Sequence, residues 1–550
     1  MTGDKGVRTA SDWLKLLDGP AHSVHRALRG IYGDDDQVLA GKAAVCRRAV
    51  QAFAAAYGMD AEAIVVRSTG RVNLLGMHVD HRGGFVNPIA VSELFLIAQP
   101  RDDDRVMLAN VDAEHYPDDA FTIADELPDG KIANWDVWTQ ARAQERKRAR
   151  RAGVWSDYVK AAVLYLQHLN TGADGRFDPP LRGMNILVYG LIPPAAGLSS
   201  SSGLVVAAAE ACVHVNGLPV SDRELVDLCG LAEWYVGTRG GSGDHAAIKF
   251  GRLGHIMHIG SSPFSVDWMP FPSDFVVVLA NSYQRAEKSA AVRDAFNQRV
   301  ASYVLGLMLI RKNFPELAPR LDHLRDVNPE NLAADEAGVY RILKSLPERA
   351  TRDEILRMLP DDRPAVEHTF GSHAEPASGY PIRAVCLYGV SECARSAMAP
   401  DVLARGDVAA FGRMMSISHD GDRVTKPGPD GHVPCDNRVT DEMLDSLIAD
   451  VESGDPQRAA RASLWRQPGG YGASVEELDV LVDLALDTGG VMGAGLVGAG
   501  LGGSIAAIVE VAQAGALIER LARDYYAPRG LPPAAQVVRP VGGAGVLTPE

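Results

Sequence analysis

The sequence predicts an α+β fold divided into two domains and enlarged by helical insertions. Its 550 residues exceed what one hydrophobic core usually serves, so size alone favours two domains with insertions. Short apolar runs suited to buried strands stand at 63 to 66, 86 to 99, 184 to 190 and 275 to 280. Long helical stretches lie before, between and after them.

In chain order, residues 11 to 57 read as helical, from Trp13, Leu14, Leu16 and Leu17 to Tyr57-Gly58. The strand-like runs follow. Near residue 193 the pattern changes to a Gly/Ser loop and then to a helix of small residues, 203 to 212. From about 286 to 470 the chain is mainly helical. Two polar, Pro-containing stretches there, near 357 to 382 and 419 to 438, read as insertions or exposed loops. A helix at 474 to 487 leads into the Gly-rich segment 493 to 503 and a strand at 504 to 510. A boundary near 270 to 300 divides the chain into 1–285 and 286–550, the second part carrying insertions near 310–380 and 420–470.

Composition narrows the function classes. A formal net charge of −15 argues against binding nucleic acid or an anionic membrane. The local basic run Arg146-Lys147-Arg148-Ala149-Arg150-Arg151 reads as a solvated helix face. The six cysteines form no Cys-x-x-Cys pair, which fits reduced, mostly buried thiols rather than a zinc or disulfide framework. The N-terminus lacks the apolar core of a secretion signal, and no uninterrupted apolar run is long enough to span a membrane. A cytoplasmic protein is the expectation.

The stretch Gly70-Arg71-Val72-Asn73-Leu74-Leu75-Gly76-Met77-His78-Val79-Asp80-His81-Arg82-Gly83-Gly84 stands out. It places two imidazoles, a carboxylate and two guanidinium groups among glycines, directly after a strand-like run. Such a density of polar groups is costly to fold unless they grip something. A second stretch, Pro193-Pro194-Ala195-Ala196-Gly197-Leu198-Ser199-Ser200-Ser201-Ser202-Gly203, lies between a strand and a helix. Backbone N–H groups at a helix start, joined by serine hydroxyls, suit phosphate oxygens. Four consecutive serines exceed what capping requires.

These residues carry a resemblance. The second stretch resembles the Pro-x-x-x-Gly-Leu-Ser-Ser-Ser phosphate loop of the GHMP small-molecule kinases. The first resembles the galactokinase signature, and Gly498-Ala499-Gly500-Leu501-Gly502-Gly503 resembles the family's C-terminal Gly-rich motif. Trp155-x-x-Tyr158, Phe296-Asn297-x-Arg299, Glu392-x-x-Arg395 and Ser418-His419 add supporting matches, whereas 310 to 380 and 420 to 470 match poorly. The resemblance implies a two-domain GHMP fold, with an N-terminal ribosomal-S5-like domain and a C-terminal ferredoxin-like α/β domain. It also implies ATP and Mg2+ as cofactors and a small sugar as partner.

The resemblance further implies site residues. The segment from Glu233 to Asp244 is similar to one that runs from a magnesium-binding Glu to the catalytic Asp. Asp244 is then the carboxylate facing the acceptor hydroxyl, and Arg71 the charge that keeps it ionised and steadies the transferring phosphoryl. Glu233 and Ser201 are the implied metal ligands, hard oxygens for a hard cation. Gly197, Leu198, Ser199, Ser200, Ser201, Ser202, Trp155, Gly500 and Gly502 are implied to hold ATP. Met77, His78, Asp80, His81, Gly243 and Phe296 are implied to border the sugar.

The departures from the pattern concern the substrate and the loops. The 233 to 244 spacing is one residue shorter than usual, Ala195 replaces a loop glycine, and four serines leave their register ambiguous by one. Met77 replaces the Glu that contacts the sugar's 6-hydroxyl, as in galacturonokinase-like members, which carry a small neutral residue there followed by His-x-Asp-His. A neutral thioether neither repels a C6 carboxylate nor accepts a bond from a C6 hydroxyl. Phe296 stands where a sugar-contacting tyrosine is usual. The expectation is a sugar 1-kinase of the galactokinase type favouring galacturonate. Galactose, a deoxy sugar or arabinose are alternatives. A catalytically silent sugar sensor is the rival of another class.

Overall fold

The computed structural model describes the chain except residues 1–5, 19–22, 129, 150–153, 173–179, 194–195, 238–239, 285–289, 430 and 550. Ala195 and the end of the basic run therefore lie outside the described residues. The first sheet contains β1 (Arg8–Thr9), β2 (Glu62–Asn73), β3 (Pro88–Pro100), β4 (Arg105–Asn110), β5 (Asp119–Thr122) and β6 (Met184–Gly190). Their order is β1-β2-β3-β6-β4-β5, antiparallel except for the parallel pair β4–β6. β2 extends well beyond the four apolar residues that announce it, so Gly70, Arg71 and Asn73 lie within a strand.

The apolar character of β2 has a simple cause. Ile64 and Val66 pack with the helices Ser156–Leu169 and Ser200–Asn216, while Ala63 and Val65 pack with Ala10–Leu17 and Asp36–Tyr57. A strand covered on both faces loses the polar alternation of an exposed one. β3 follows the same rule, with Leu94 and Leu96 on one side and Phe95 and Ile97 on the other.

A two-stranded hairpin follows, β7 (His255–Ser261) and β8 (Phe264–Pro270). β9 (Phe275–Asn281) begins the second sheet. The hairpin β10 (Thr425–Gly428) and β11 (Gly431–Pro434) intervenes before the remaining strands β12 (Val491–Leu496), β13 (Ser504–Glu510) and β14 (Ala535–Val538). The order is β12-β13-β9-β14, all antiparallel. Because β9 belongs to this sheet, a division at 285 falls behind it; the chain leaves the first sheet's side between Pro270 and Phe275. It also returns, since β15 (Gly545–Val546) pairs with β2.

The region from Ala290 to Val451 is mainly helical and has its own core of Tyr303, Leu305, Tyr340, Leu343, Tyr380 and Tyr388. The two polar stretches are not plain loops: one contains the helix Arg363–Phe370 and the other the β10–β11 hairpin. Arg148 is exposed, as the expected solvated basic face requires, whereas Arg146 departs from it. It donates to Tyr235 O, stacks over the Tyr235 ring and lies 3.5 Å from Asp157. No described helix is long and apolar enough to cross a membrane.

Candidate active site

The site forms where β2 meets the start of the helix Ser200–Asn216. The Arg71 backbone N–H donates to Leu198 O at 3.0 Å, which fixes strand and loop side by side. The guanidinium then reaches Asp244 with both arms, Nε to Oδ1 at 2.7 Å and Nη2 to Oδ2 at 2.8 Å, while Nη1 donates to Gly197 O at 2.6 Å. Ser199 Oγ also donates to Asp244 Oδ2. Burial works against a charge on Asp244, and Arg71 outweighs it, so the carboxyl stays below its ordinary range. Asp244 remains 39% exposed at its side chain.

The Gly-rich segment packs directly on this loop. Gly197 has φ +79° and a Cβ there would lie 2.6 Å from Val497 O. Gly500, at φ +74°, lies against Ala473 O with no room for a side chain. Both positions need glycine for conformation and for space. Gly502 also has positive φ. Ser200 and Ser201, at the helix start beside this contact, are half-buried.

Glu233 is buried at the end of the helix Asp222–Ala232. The serine that meets it is Ser202, Oγ to Oε1 at 2.8 Å, one residue past the expected Ser201. His245 Nε2 lies 3.4 Å from the same carboxylate oxygen. Trp155 is buried in the core, with its Nε1–H donated to Pro117 O at 2.9 Å.

On the sugar-signature side, Asp80 faces the loop that carries Asp244. A Cβ on Gly243 would be 3.5 Å from Asp80 Oδ2, and one on Gly241 3.1 Å. Burial alone would raise the Asp80 carboxyl, yet the His81 ring at 3.0 Å holds it down to about 2. The pH consequence follows from the sign: stability from Asp80 is full above the unfolded value near 3.9 and is lost as pH falls toward 2. In denaturant titrations, wild type should lose about 2 kcal/mol over that window that Asp80→Asn does not.

Met77 is buried, its sulfur 3.5 Å from Asn73 Nδ2. His78 takes a left-handed backbone at φ +61° and stacks on Tyr471 at 4.2 Å. The Arg82 guanidinium lies 5.3 Å above the Tyr303 ring, and its buried Nε has no hydrogen-bond partner. Burial lowers its pKa from the ordinary arginine value. Phe296 is half-buried on the helix Ala290–Asn313, and Arg299 nearby is engaged by Tyr471 O at 2.7 Å and Ala295 O at 2.9 Å.

Three residues of this region escaped sequence reading. Tyr471 carries a weak mark, lying in Gly469-Gly470-Tyr471-Gly472. Arg325 carries none: it comes from the poorly matching insertion, yet donates to Gly83 O at 2.7 Å and to Ser262 O. Asp422, three residues past His419, comes within 3.3 Å of His78 Nε2.

Comparison with known proteins agrees with this geometry. The GHMP kinases N terminal domain matches residues 157–252, the GHMP kinases C terminal domain 443–527, and the galactokinase galactose-binding signature 51–99. The galactokinase of Roseiflexus sp. (strain RS-1) is 26% identical over 88% of this chain and 92% of its own length. That of Streptococcus mutans serotype c is 25% identical over 90% of this chain and 98% of its own. The structure of Lactococcus lactis galactokinase complexed with galactose superposes with a TM-score of 0.60 at 21% identity, covering 90% of this chain and 97% of that one, a likeness of fold. The chain carries the N- and C-terminal domains of the GHMP kinases, and with its relatives this makes it a phosphotransferase with an alcohol group as acceptor. Within that class its curated relatives are galactokinases, and it carries a match to their galactose-binding signature.

Proposed function

We propose that the protein is an ATP- and Mg2+-dependent sugar 1-kinase that phosphorylates the anomeric hydroxyl of a galactose-like pyranose, with galacturonate favoured. The observation that carries the reaction is Asp244, gripped by Arg71 and Ser199 at the mouth of the serine loop. In the reaction the sugar's O1 bonds to the γ-phosphorus of ATP, the bond to the bridging oxygen breaks, and ADP leaves. A carboxylate held below its ordinary pKa is a weak base, which suits a loose phosphoryl-transfer transition state. Asp244 orients the hydroxyl and takes its proton late, while Arg71 offsets charge on the transferring group. Gly197 to Ser202 receive the phosphates at the helix start. Glu233 with the serine hydroxyls at 201 and 202 offers the hard oxygens Mg2+ requires. When bound, the ion offsets phosphate charge.

The substrate reading rests on Met77 and Arg82. Met77 places no carboxylate beside the sugar, so a C6 carboxylate meets no repulsion there. Arg82 supplies a half-buried guanidinium whose buried Nε has no hydrogen-bond partner, and such a charge is stabilised by an anion. A coupled ADP-release screen over galactose, galacturonate, glucuronate, arabinose and fucose tests this. Galacturonate should exceed galactose at least tenfold in kcat/KM. The reverse order would overturn the uronate preference, and saturable sugar binding without turnover would mark a sensor. Met77→Glu should move the galacturonate-to-galactose ratio toward galactose by roughly 10- to 100-fold.

A further inference from the structure

We propose that Gly543 and Ala544 are positioning residues for Asp244: clamped to β2 by Arg67, they hold the far end of the short helix whose first turn carries that carboxylate. The inference rests on the sugar-kinase reading for its kinetic consequence, but not for its geometry. The helix Gly243–Lys249 has seven residues, under two turns, and is too short to sustain itself. Its start is approached through Gly240-Gly241-Ser242, and the Ser242 side chain makes no capping bond. A glycine-rich approach without a cap leaves the direction of the helix to be set from elsewhere.

The far end is where it is held. The Ala544 N–H donates to Ile248 O at 2.8 Å, meeting one of the carbonyls that a helix end leaves free. Gly543 lies so close that a Cβ there would run into Lys249 O and stand 2.9 Å from Gly251 N. The segment is fixed in turn: Val541 N–H donates to Ala90 O at 3.0 Å, Gly542 N–H to Ile31 O at 2.8 Å and Leu547 N–H to Val65 O at 2.8 Å. The fully buried Arg67 guanidinium donates to Gly542 O, to Gly543 O at 3.1 Å, to Ser92 O at 3.0 Å and to Tyr32 Oη at 3.0 Å. Burying such a group is costly unless its donors are met, and here carbonyls of this segment help to meet them. The circuit closes on β2, which carries both Arg67 and Arg71. One arginine holds the segment, the segment holds the helix end, and the helix presents Asp244 to the other arginine. Asp244 and Ile248 are about one helical turn apart, so a tilt released at one reaches the other. A displacement of about 1 Å at a reacting group can cost roughly a hundredfold in rate.

The test uses full-length Gly543→Ala, whose methyl group wedges against the helix end, with the best sugar from the screen as substrate. Gly545→Ala is the control, since a Cβ there meets nothing within 4 Å. Gly543→Ala should lower kcat about ten- to hundredfold and leave the sugar and ATP dissociation constants within about threefold. Independently of turnover, hydrogen exchange read by mass spectrometry should quicken about tenfold at residues 245 to 250 and keep its wild-type rate in β13 of the second sheet. Gly545→Ala should match wild type in both measurements. Normal kcat in folded Gly543→Ala overturns the proposal. So does faster exchange throughout the molecule with kcat untouched, or an equal loss in Gly545→Ala, the marks of a merely structural segment. If Gly543→Ala does not fold, Arg67→Lys decides: lysine cannot reach the same four acceptors, so kcat should fall and exchange quicken at 245 to 250. An unchanged Arg67→Lys enzyme then overturns the inference. If wild type turns over no sugar at all, the proposed reaction fails while the exchange pattern still tests the hold on the helix.

Discussion

Asp244→Asn should lower kcat a hundred- to ten-thousandfold, with sugar and ATP dissociation constants changed less than tenfold. The magnitude follows from the loss of a positioned proton acceptor facing the acceptor hydroxyl. Binding is spared because Arg71 keeps its bonds to the loop: its backbone N–H still meets Leu198 O, and Nη1 still meets Gly197 O. Arg71→Lys should lose nearly as much turnover by a different route. Lysine cannot span both Asp244 oxygens and Gly197 O together, so the carboxylate loses its fixed orientation. Stopped-flow or coupled ADP release gives kcat, and calorimetry gives binding. Near-normal turnover in Asp244→Asn would remove Asp244 from the reaction. Tenfold or greater loss of ATP binding would show that the residue supports the phosphate loop rather than the transfer.

What the sequence made legible was local. The β2 run, the serine loop and the Gly-rich segment are contiguous, and each has a local physical reason for its composition: burial on two faces, a helix start, a close backbone approach. Their meeting at Arg71 and Gly197 follows from resemblance to a known pattern, since no spacing rule brings residue 71 to residue 244. Short strands such as β5 and β14, with partly exposed and weakly apolar faces, left no periodic trace. The serine facing Glu233 was ambiguous by one residue because four identical side chains leave the register to helix geometry, which brings Ser202 to it. Arg325 and Asp422 were invisible for a stronger reason. Each acts on the signature loop from hundreds of residues away, and neither sits in a run whose composition needs explaining. Local energetics mark where a site is built; the supports that aim its side chains are tertiary and carry no local signature.

Glu392→Ala should destabilise the protein by about 3 to 5 kcal/mol, the cost of leaving a buried guanidinium without its counter-charge. Glu392 and Arg395 are both fully buried, Arg395 Nε to Glu392 Oε2 at 2.7 Å. The other carboxylate oxygen accepts from the backbone N–H of Gly76 at 2.7 Å and of Met77 at 2.9 Å, and from Ser418 Oγ at 2.9 Å. Arg395 is further tied to Trp465 O and Gln467 O. Removing the carboxylate therefore orphans two backbone donors of the sugar-signature loop as well as one charge. Sugar KM should rise in whatever fraction still folds, while the ATP KM, set by a loop this network does not touch, should hold. Glu392→Gln keeps an acceptor for Gly76 and Met77 and should lose less. Combined with Arg395→Met it should be less destabilised than the two single changes summed, because no unpaired charge remains buried. Denaturant midpoints for the four proteins give the coupling. Strict additivity would mean that the ion pair is incidental and that the backbone bonds alone hold Met77 in place.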